Sequence, residues 1–388
     1  MKFTHLPNET ILQITESLSP PHINHLLRAN RHLSLLLPSD LLSSICRTRS
    51  EEYAVKAIYF FAERREGLPI SWLIQKGALE FIESGRLLLH DAVVNRSCAV
   101  VETLLDCGVP ADTKDSMGRS LVYLAVKMER QDVLEVLLGR KDVDINLQEH
   151  RRGKSPFHVA VRRKHLPAVR LLMNDKRVDV NLADHYDETP LHSAVRGAQV
   201  EIVKMLLEDE KLLVNCFDVC GHTPLHLAVI KGSVSILQMM LRDQRLDVAI
   251  GEPGGQTLLD IATERGYEDV VQVLLDDGRF DPNVLDDMRG RKGNWTPLHR
   301  AVYIGNDAIV DLLLSDGRVD INCRSNTGDT PLHLAIHGRQ RGILELLLAH
   351  EDVDIYVTDD AGMTPSELAA QLEPETSFSR EGVCDLSD

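Results

Sequence analysis

Aromatic side chains are scarce in this chain. Phe, Tyr and Trp make up 4% of its 388 residues, although the hydrophobic fraction is an ordinary 43%. Large globular cores draw on more aromatic volume than that, whereas stacked Leu-rich and small-residue helices do not. Basic charge is also short: 43 Lys and Arg face 59 Asp and Glu, for a formal charge of −16. A polyanion of this size is repelled by phosphate backbones, which argues against non-specific nucleic-acid binding. No run approaches the ~20 apolar residues that a membrane span requires. The first residues, Met1-Lys2-Phe3-Thr4-His5-Leu6-Pro7, lack the apolar core of a signal peptide. The seven cysteines are scattered. Only Cys216 and Cys220 lie close together, with no second pair to complete a zinc quartet. These features predict a soluble chain in a reducing compartment, cytoplasm or nucleus.

Catalytic signatures are missing as well. There is no phosphate loop, no Gly-x-Ser-x-Gly and no His-Glu-x-x-His. Gly251–Gly255 is Gly-rich but falls where a repeat turn is due. The expectation is therefore no enzyme, no cofactor and no metal.

What the chain does contain is a period. Thr-Pro-Leu-His stands at 189, 223, 296 and 330, Ser-Pro-Phe-His at 155, and weaker copies at 87, 120, 257 and 364. Successive starts are 33–35 residues apart, except for 39 between 257 and 296. In the unit at 223, the Thr223 hydroxyl caps a first helix and Pro224 suits its opening position. Leu225, Leu227, Ala228 and Val229 give an apolar face, Gly232 ends the helix, and Ser233 opens a second carrying Val234, Ile236, Leu237 and Leu241. Neither helix buries its face alone, so neighbours must stack. Two residues before each Thr position a Gly fits a positive-φ turn, with Asp187 and Asn294 as tolerated substitutes. The extra residues before 296 fall around 287–293 and should lengthen a loop without breaking the stack. Six repeated histidines (90, 158, 192, 226, 299 and 333) lie on stacked helices about 8–10 Å apart. That spacing is too wide for one zinc ion and suits hydrogen bonds to the turns.

The Thr-Pro-Leu-His-x-Ala signature at this spacing resembles the ankyrin repeat, over about residues 85–370. The resemblance implies an all-α ankyrin-repeat solenoid of helix-turn-helix units joined by β-hairpin-like turns, with a protein target on its concave face. In that family the outward positions are the turn residues before the Thr and the two residues before the helix-ending Gly. In the 155 unit those positions hold Arg151, Arg152, Lys154, Arg162 and Arg163, a basic cluster suited to an acidic partner. In the 296 unit they hold Trp295, Tyr303 and Ile304, an apolar anchor suited to a protein interface.

Residues 3–48 do not fit the repeat and read as three short amphipathic helices. The run Leu6-Pro7-Asn8-Glu9-Thr10-Ile11-Leu12-Gln13-Ile14, with Leu18-Ser19-Pro20 and Leu26-Leu27-Arg28-Ala29-Asn30-Arg31, resembles an F-box. The family's helices dock on the Skp-type adaptor of cullin–RING ubiquitin ligases, which implies an adaptor-binding role for Leu6, Pro7, Ile11, Leu12, Ile14 and Leu26. The usual Trp after the second helix is missing, with Leu33 nearby. The other reading is that these helices cap the apolar end of the array.

The expected organisation is an F-box-like module at 1–49, a helical linker or degenerate first repeat at 50–84, the ankyrin array at 85–373 and a disordered tail at 374–388. The functional expectation is a substrate receptor of a ubiquitin ligase. The rival is a scaffold or transcriptional co-regulator with no ligase connection.

Overall fold

The computed structural model describes residue 46 and residues 51–82, 87–249, 255–286 and 294–372. The F-box-like stretch, with Leu6, Pro7, Ile11, Leu12, Ile14 and Leu26, lies outside the described residues. So do the inserted residues 287–293 and the C-terminal stretch from 373. The described elements are all helical, with no strand among them. They divide into two compact units, Met1–His185 and Tyr186–Asp388.

The first unit contains α1 (Glu51–Glu63), α2 (Gly67–Gln75), α3 (Ala78–Phe81), α4 (Leu88–Asn95), α5 (Cys98–Asp106), α6 (Leu121–Lys127), α7 (Gln131–Leu138), α8 (Pro156–Arg162) and α9 (Leu166–Asn174). The second contains α10 (Pro190–Arg196), α11 (Val200–Leu207), α12 (Pro224–Ile230), α13 (Val234–Leu241), α14 (Leu258–Glu264), α15 (Glu268–Asp277), α16 (Pro297–Ile304), α17 (Asp307–Leu314), α18 (Pro331–His337), α19 (Arg341–Ala349) and α20 (Pro365–Leu372).

The two helices of a repeat obey different rules. The first is packed between first helices of its neighbours, α6 between α4 and α8, and α14 between α12 and α16. It is therefore buried nearly all round: Phe157, His158, Val159, Ala160 and Val161 of α8 are at most 2% exposed. The second helix faces water on one side and is amphipathic. In α9, Ala168, Val169 and Leu172 are fully buried while Arg170 and Asn174 are exposed. Each buried Val or Leu contributes about 1.5–3 kcal/mol.

The repeated motif is a reciprocal cap. At Ser155, Thr189, Thr223, Thr296 and Thr330 the hydroxyl accepts the N–H of the His three residues on, and the cap's own N–H donates to that His Nδ1. With Nδ1 accepting, the ring proton is left on Nε2. His90, His192, His299 and His333 use Nε2 to reach the carbonyls of Arg119, His222, Asp329 and Met363 in the next turn, at 3.0–3.1 Å. These four histidines thus bind repeat to repeat. The 257 unit, which lacks both Pro and His, keeps the cap: Thr257 N–H donates to Asp260 Oδ2 at 2.8 Å, and α14 starts in register.

Two further sets of bonds recur within each unit. A recurring Asp-x-Arg follows the second helix. Its Arg pairs with the Asp and donates to carbonyls at the end of the preceding repeat's second helix. Arg318 reaches Leu275 O at 2.8 Å and Gly278 O and Phe280 O at 3.2 Å; Arg279 does the same one repeat earlier and Arg245 two repeats earlier, and Arg177 does so in the first unit. These carbonyls lie at or just beyond the helix C-terminus, where intrahelical donors run out. Asn146, Asn215, Asn283 and Asn322 each bridge to the following repeat, donating to a carbonyl and accepting an N–H.

The Gly two residues before the cap is left-handed at 118, 153, 221, 255, 328 and 362, and Asp187 shares the conformation at φ 55°. A Cβ at Gly153 would also collide with the His185 ring. Asn294 does not take positive φ, contrary to the expectation. With five additional residues the turn before Trp295 is no longer the short one that demands it. The frame still closes across the insertion, because Asp286 N–H donates to Trp295 O at 3.0 Å and Trp295 N–H to Asp286 Oδ1 at 2.8 Å. At the other end of the array, Arg65 between α1 and α2 has φ 56°. It closes with the same bonds as Glu129 and Lys164 between their helix pairs.

Candidate functional site

The register brings the residue before the cap toward the residue seven after the cap, at the end of the first helix. The second unit shows three such pairs directly. Glu188 and Arg196 form an ion pair at 2.7 Å, Gln256 donates to Glu264 at 2.8 Å, and the Trp295 and Tyr303 rings lie 4.7 Å apart at 48°. The chemistry of these pairs changes from repeat to repeat, and two of their members also reach the next turn or helix, Arg196 to Asp218 and Glu264 to Arg300. They form a strip along the turns and the ends of the first helices.

In the first unit the strip is basic. Arg151, Arg152, Arg162 and Arg163 are exposed. Arg163 lies 3.4 Å from Glu129, a solvent-facing pair of little energetic consequence. Lys154 corrects the sequence reading. Its side chain is turned inward, 8% exposed, with Nζ 3.1 Å from the buried Asp184 carboxylate. The turn of the 155 unit carries one extra residue, so Glu149 occupies the place of Asp115 and Asp218 in other units, and Lys154 points to the next turn's acid. Glu149 is consumed in the same way: it accepts the N–H groups of Arg152 at 2.7 Å and Arg151 at 2.9 Å. Burial would raise its pKa, but these donors and Lys154 N–H hold it below the usual range.

In the second unit the strip carries an aromatic pair. Tyr303 is 65% exposed and Ile304 44%. Trp295 is half-buried against Tyr303 rather than fully outward. Beneath the pair lies a cluster that sequence reasoning missed. Arg300, at a position that is Leu in the 223 and 330 units, is buried. Its guanidinium bonds Asp286 and lies 3.7 Å from Asp260 and 3.5 Å from Glu264. Asp260 is fully buried, and its carboxyl is pushed up to about 6 by burial. The signal was present as two departures in adjacent repeats, His to Asp at 260 and Leu to Arg at 300. Read together they are one compensated exchange.

One group among the described residues has metal-type ligand atoms within 4.8 Å of one another, Asp218, Cys220 and His222. The Asp218 carboxylate is already engaged there, by the N–H groups of Cys220 and His222 at 2.9 Å and by Arg196 at 3.3 Å. No described helix is long and apolar enough to cross a membrane.

A stack of capped helix pairs with a variable outward strip defines a repeat protein built for interaction. The profile for ankyrin repeats (3 copies) matches residues 122–216, 210–286 and 278–359, more than half of the sequence, and the chain belongs to the ankyrin-repeat family. Ankyrin repeats act as protein–protein interaction modules, and that is the class of this chain. Among solved structures it is similar to the ankyrin repeat domain of Bcl-3, described as a unique member of the IkappaB protein family. That likeness has 27% identity and a TM-score of 0.51, and covers 56% of this chain and 94% of that one. None of the curated proteins matches the sequence.

Proposed function

We propose that this protein is a substrate receptor: the ankyrin strip holds a target protein, and the N-terminal segment links it to a cullin–RING ubiquitin ligase. The observation that carries the target-holding half is the Trp295–Tyr303 pair with Ile304. It is an exposed apolar anchor at positions where neighbouring repeats carry Gln256, Glu264, Asp329 and His337. Aromatic anchors of this kind dominate interface energetics, at about 2 kcal/mol or more each. The linking half rests on the F-box-like run from Leu6 to Arg31, with Leu6, Pro7, Ile11, Leu12, Ile14 and Leu26 as the docking residues on a Skp-type adaptor. Neither half calls for a cofactor, a membrane or a nucleic acid, and both fit the cytoplasm or the nucleus.

The test is co-purification of the full chain with the adaptor. Replacing Leu6, Pro7 and Ile11 together is expected to abolish adaptor recovery while thermal unfolding of the repeats is unchanged. Unchanged recovery would remove the ligase connection and leave the rival reading, a scaffold or transcriptional co-regulator resting on the array alone. Loss of the array's folding would show that the segment is a cap.

A further inference from the structure

We propose that the basic strip of the first unit is a docking site for an acidic segment of a partner protein, a stretch of chain rich in Asp and Glu. The inference deepens the target-holding reading above and rests on it. Basic residues are ordinarily balanced by nearby acids, but here the nearby acids are already consumed. Asp115 accepts the N–H groups of Met117 and Arg119 and pairs with the Arg119 guanidinium at 2.6 Å. Glu149 is buried under the backbone of Arg151 and Arg152, and Asp184 is buried against Lys154. The inward turn of Lys154 has a consequence: it neutralises Asp184, the buried acid of the next turn. Arg151, Arg152 and Arg162 are left exposed.

An acidic segment would meet the forked guanidinium donors of Arg151, Arg152 and Arg162, which suit carboxylates. The whole chain, at −16, repels such a segment, so saturable capture can come only from a local site.

The experiment uses the full chain and a fluorescein-labelled dodecaglutamate peptide, followed by fluorescence anisotropy at 50 and 200 mM NaCl. Wild type is expected to bind saturably and more weakly at the higher salt. The Arg151→Gln/Arg152→Gln/Arg162→Gln variant is expected to lose at least tenfold in affinity with its unfolding temperature unchanged. The matching triple Lys variant, which keeps the charge, should retain most of the binding. Arg152→Gln alone gives a partial loss and covers the case of a misfolded triple variant. Absence of saturable binding, equal binding by the triple Gln variant, or tighter binding of a 12-nucleotide RNA than of the peptide would each overturn the proposal. The adaptor experiment is independent: its failure leaves the peptide result standing, and the reverse holds too.

Discussion

The 155 repeat of the first unit and the 296 repeat of the second are built on the same reciprocal cap, Ser155 with His158 and Thr296 with His299. Each also buries one cation against acids, Lys154 on Asp184 and Arg300 on Asp286 and Asp260. Their outward residues share nothing: arginines stand on one strip, and two aromatic rings in tilted contact with an isoleucine on the other. The frame residues hold the fold and leave the strip free to vary. The difference between the two repeats is therefore a difference in the surface each presents.

The largest expected effects come from breaking the buried pairs. Arg300→Leu restores the residue found in the 223 and 330 units but leaves Asp260 and Asp286 without their cation, at a cost of about 3–5 kcal/mol. Adding Asp260→His to that variant should recover much of the loss, since it reinstates the ordinary repeat. Urea unfolding of the two variants decides this. An Arg300→Leu cost below about 1 kcal/mol would mean the cluster does not hold the 257 and 296 units together.

Next in size is the response to acid. Burial holds His192, His226 and His299 below the usual imidazole range, His226 at about 4. The folded protein keeps these rings neutral, while the unfolded chain takes up protons below about pH 6.5. Stability from this source is complete above that pH and is lost as pH falls, on the order of 1 kcal/mol per unit for each ring at most. Asp260 acts in the opposite sense. Its raised pKa lets the folded form gain a proton near pH 6, ahead of the unfolded one. The urea midpoint should fall between pH 7 and pH 5, and fall more steeply in Asp260→Asn. A midpoint that rises on acidification would contradict the histidine ladder.

A smaller effect is expected from the Arg ladder, where Arg318→Ala removes three carbonyl contacts and the bond to Asp316, for about 1–2 kcal/mol. A Tm indistinguishable from wild type would show that water replaces the guanidinium at no cost.

Much of this was legible in the sequence. The Thr-Pro-Leu-His period placed the first helices, and the six histidines were read as ties to the turns. What escaped had three physical causes. Lys154 was read as outward because its register position is outward, but register does not reveal a buried acid, Asp184, one turn ahead. Arg300 escaped because it occupies a core position, where a charge is explained only by partners from the preceding repeat and the preceding turn. The Asp-x-Arg ladder at 175, 243, 277 and 316 is as periodic as the caps, yet it acts on carbonyls that no residue-type pattern displays.

The central claim is that the strip binds and the frame holds, and the two are separable. The most direct measurement is a calorimetric titration of a captured target against wild type, Tyr303→Ala and Arg318→Ala, with thermal unfolding of each. Tyr303→Ala is predicted to lose about thirtyfold in affinity, the equivalent of about 2 kcal/mol, with its Tm unchanged. Arg318→Ala is predicted to lose Tm and keep its affinity. Retained affinity in Tyr303→Ala, with the loss appearing in its stability instead, would contradict the account.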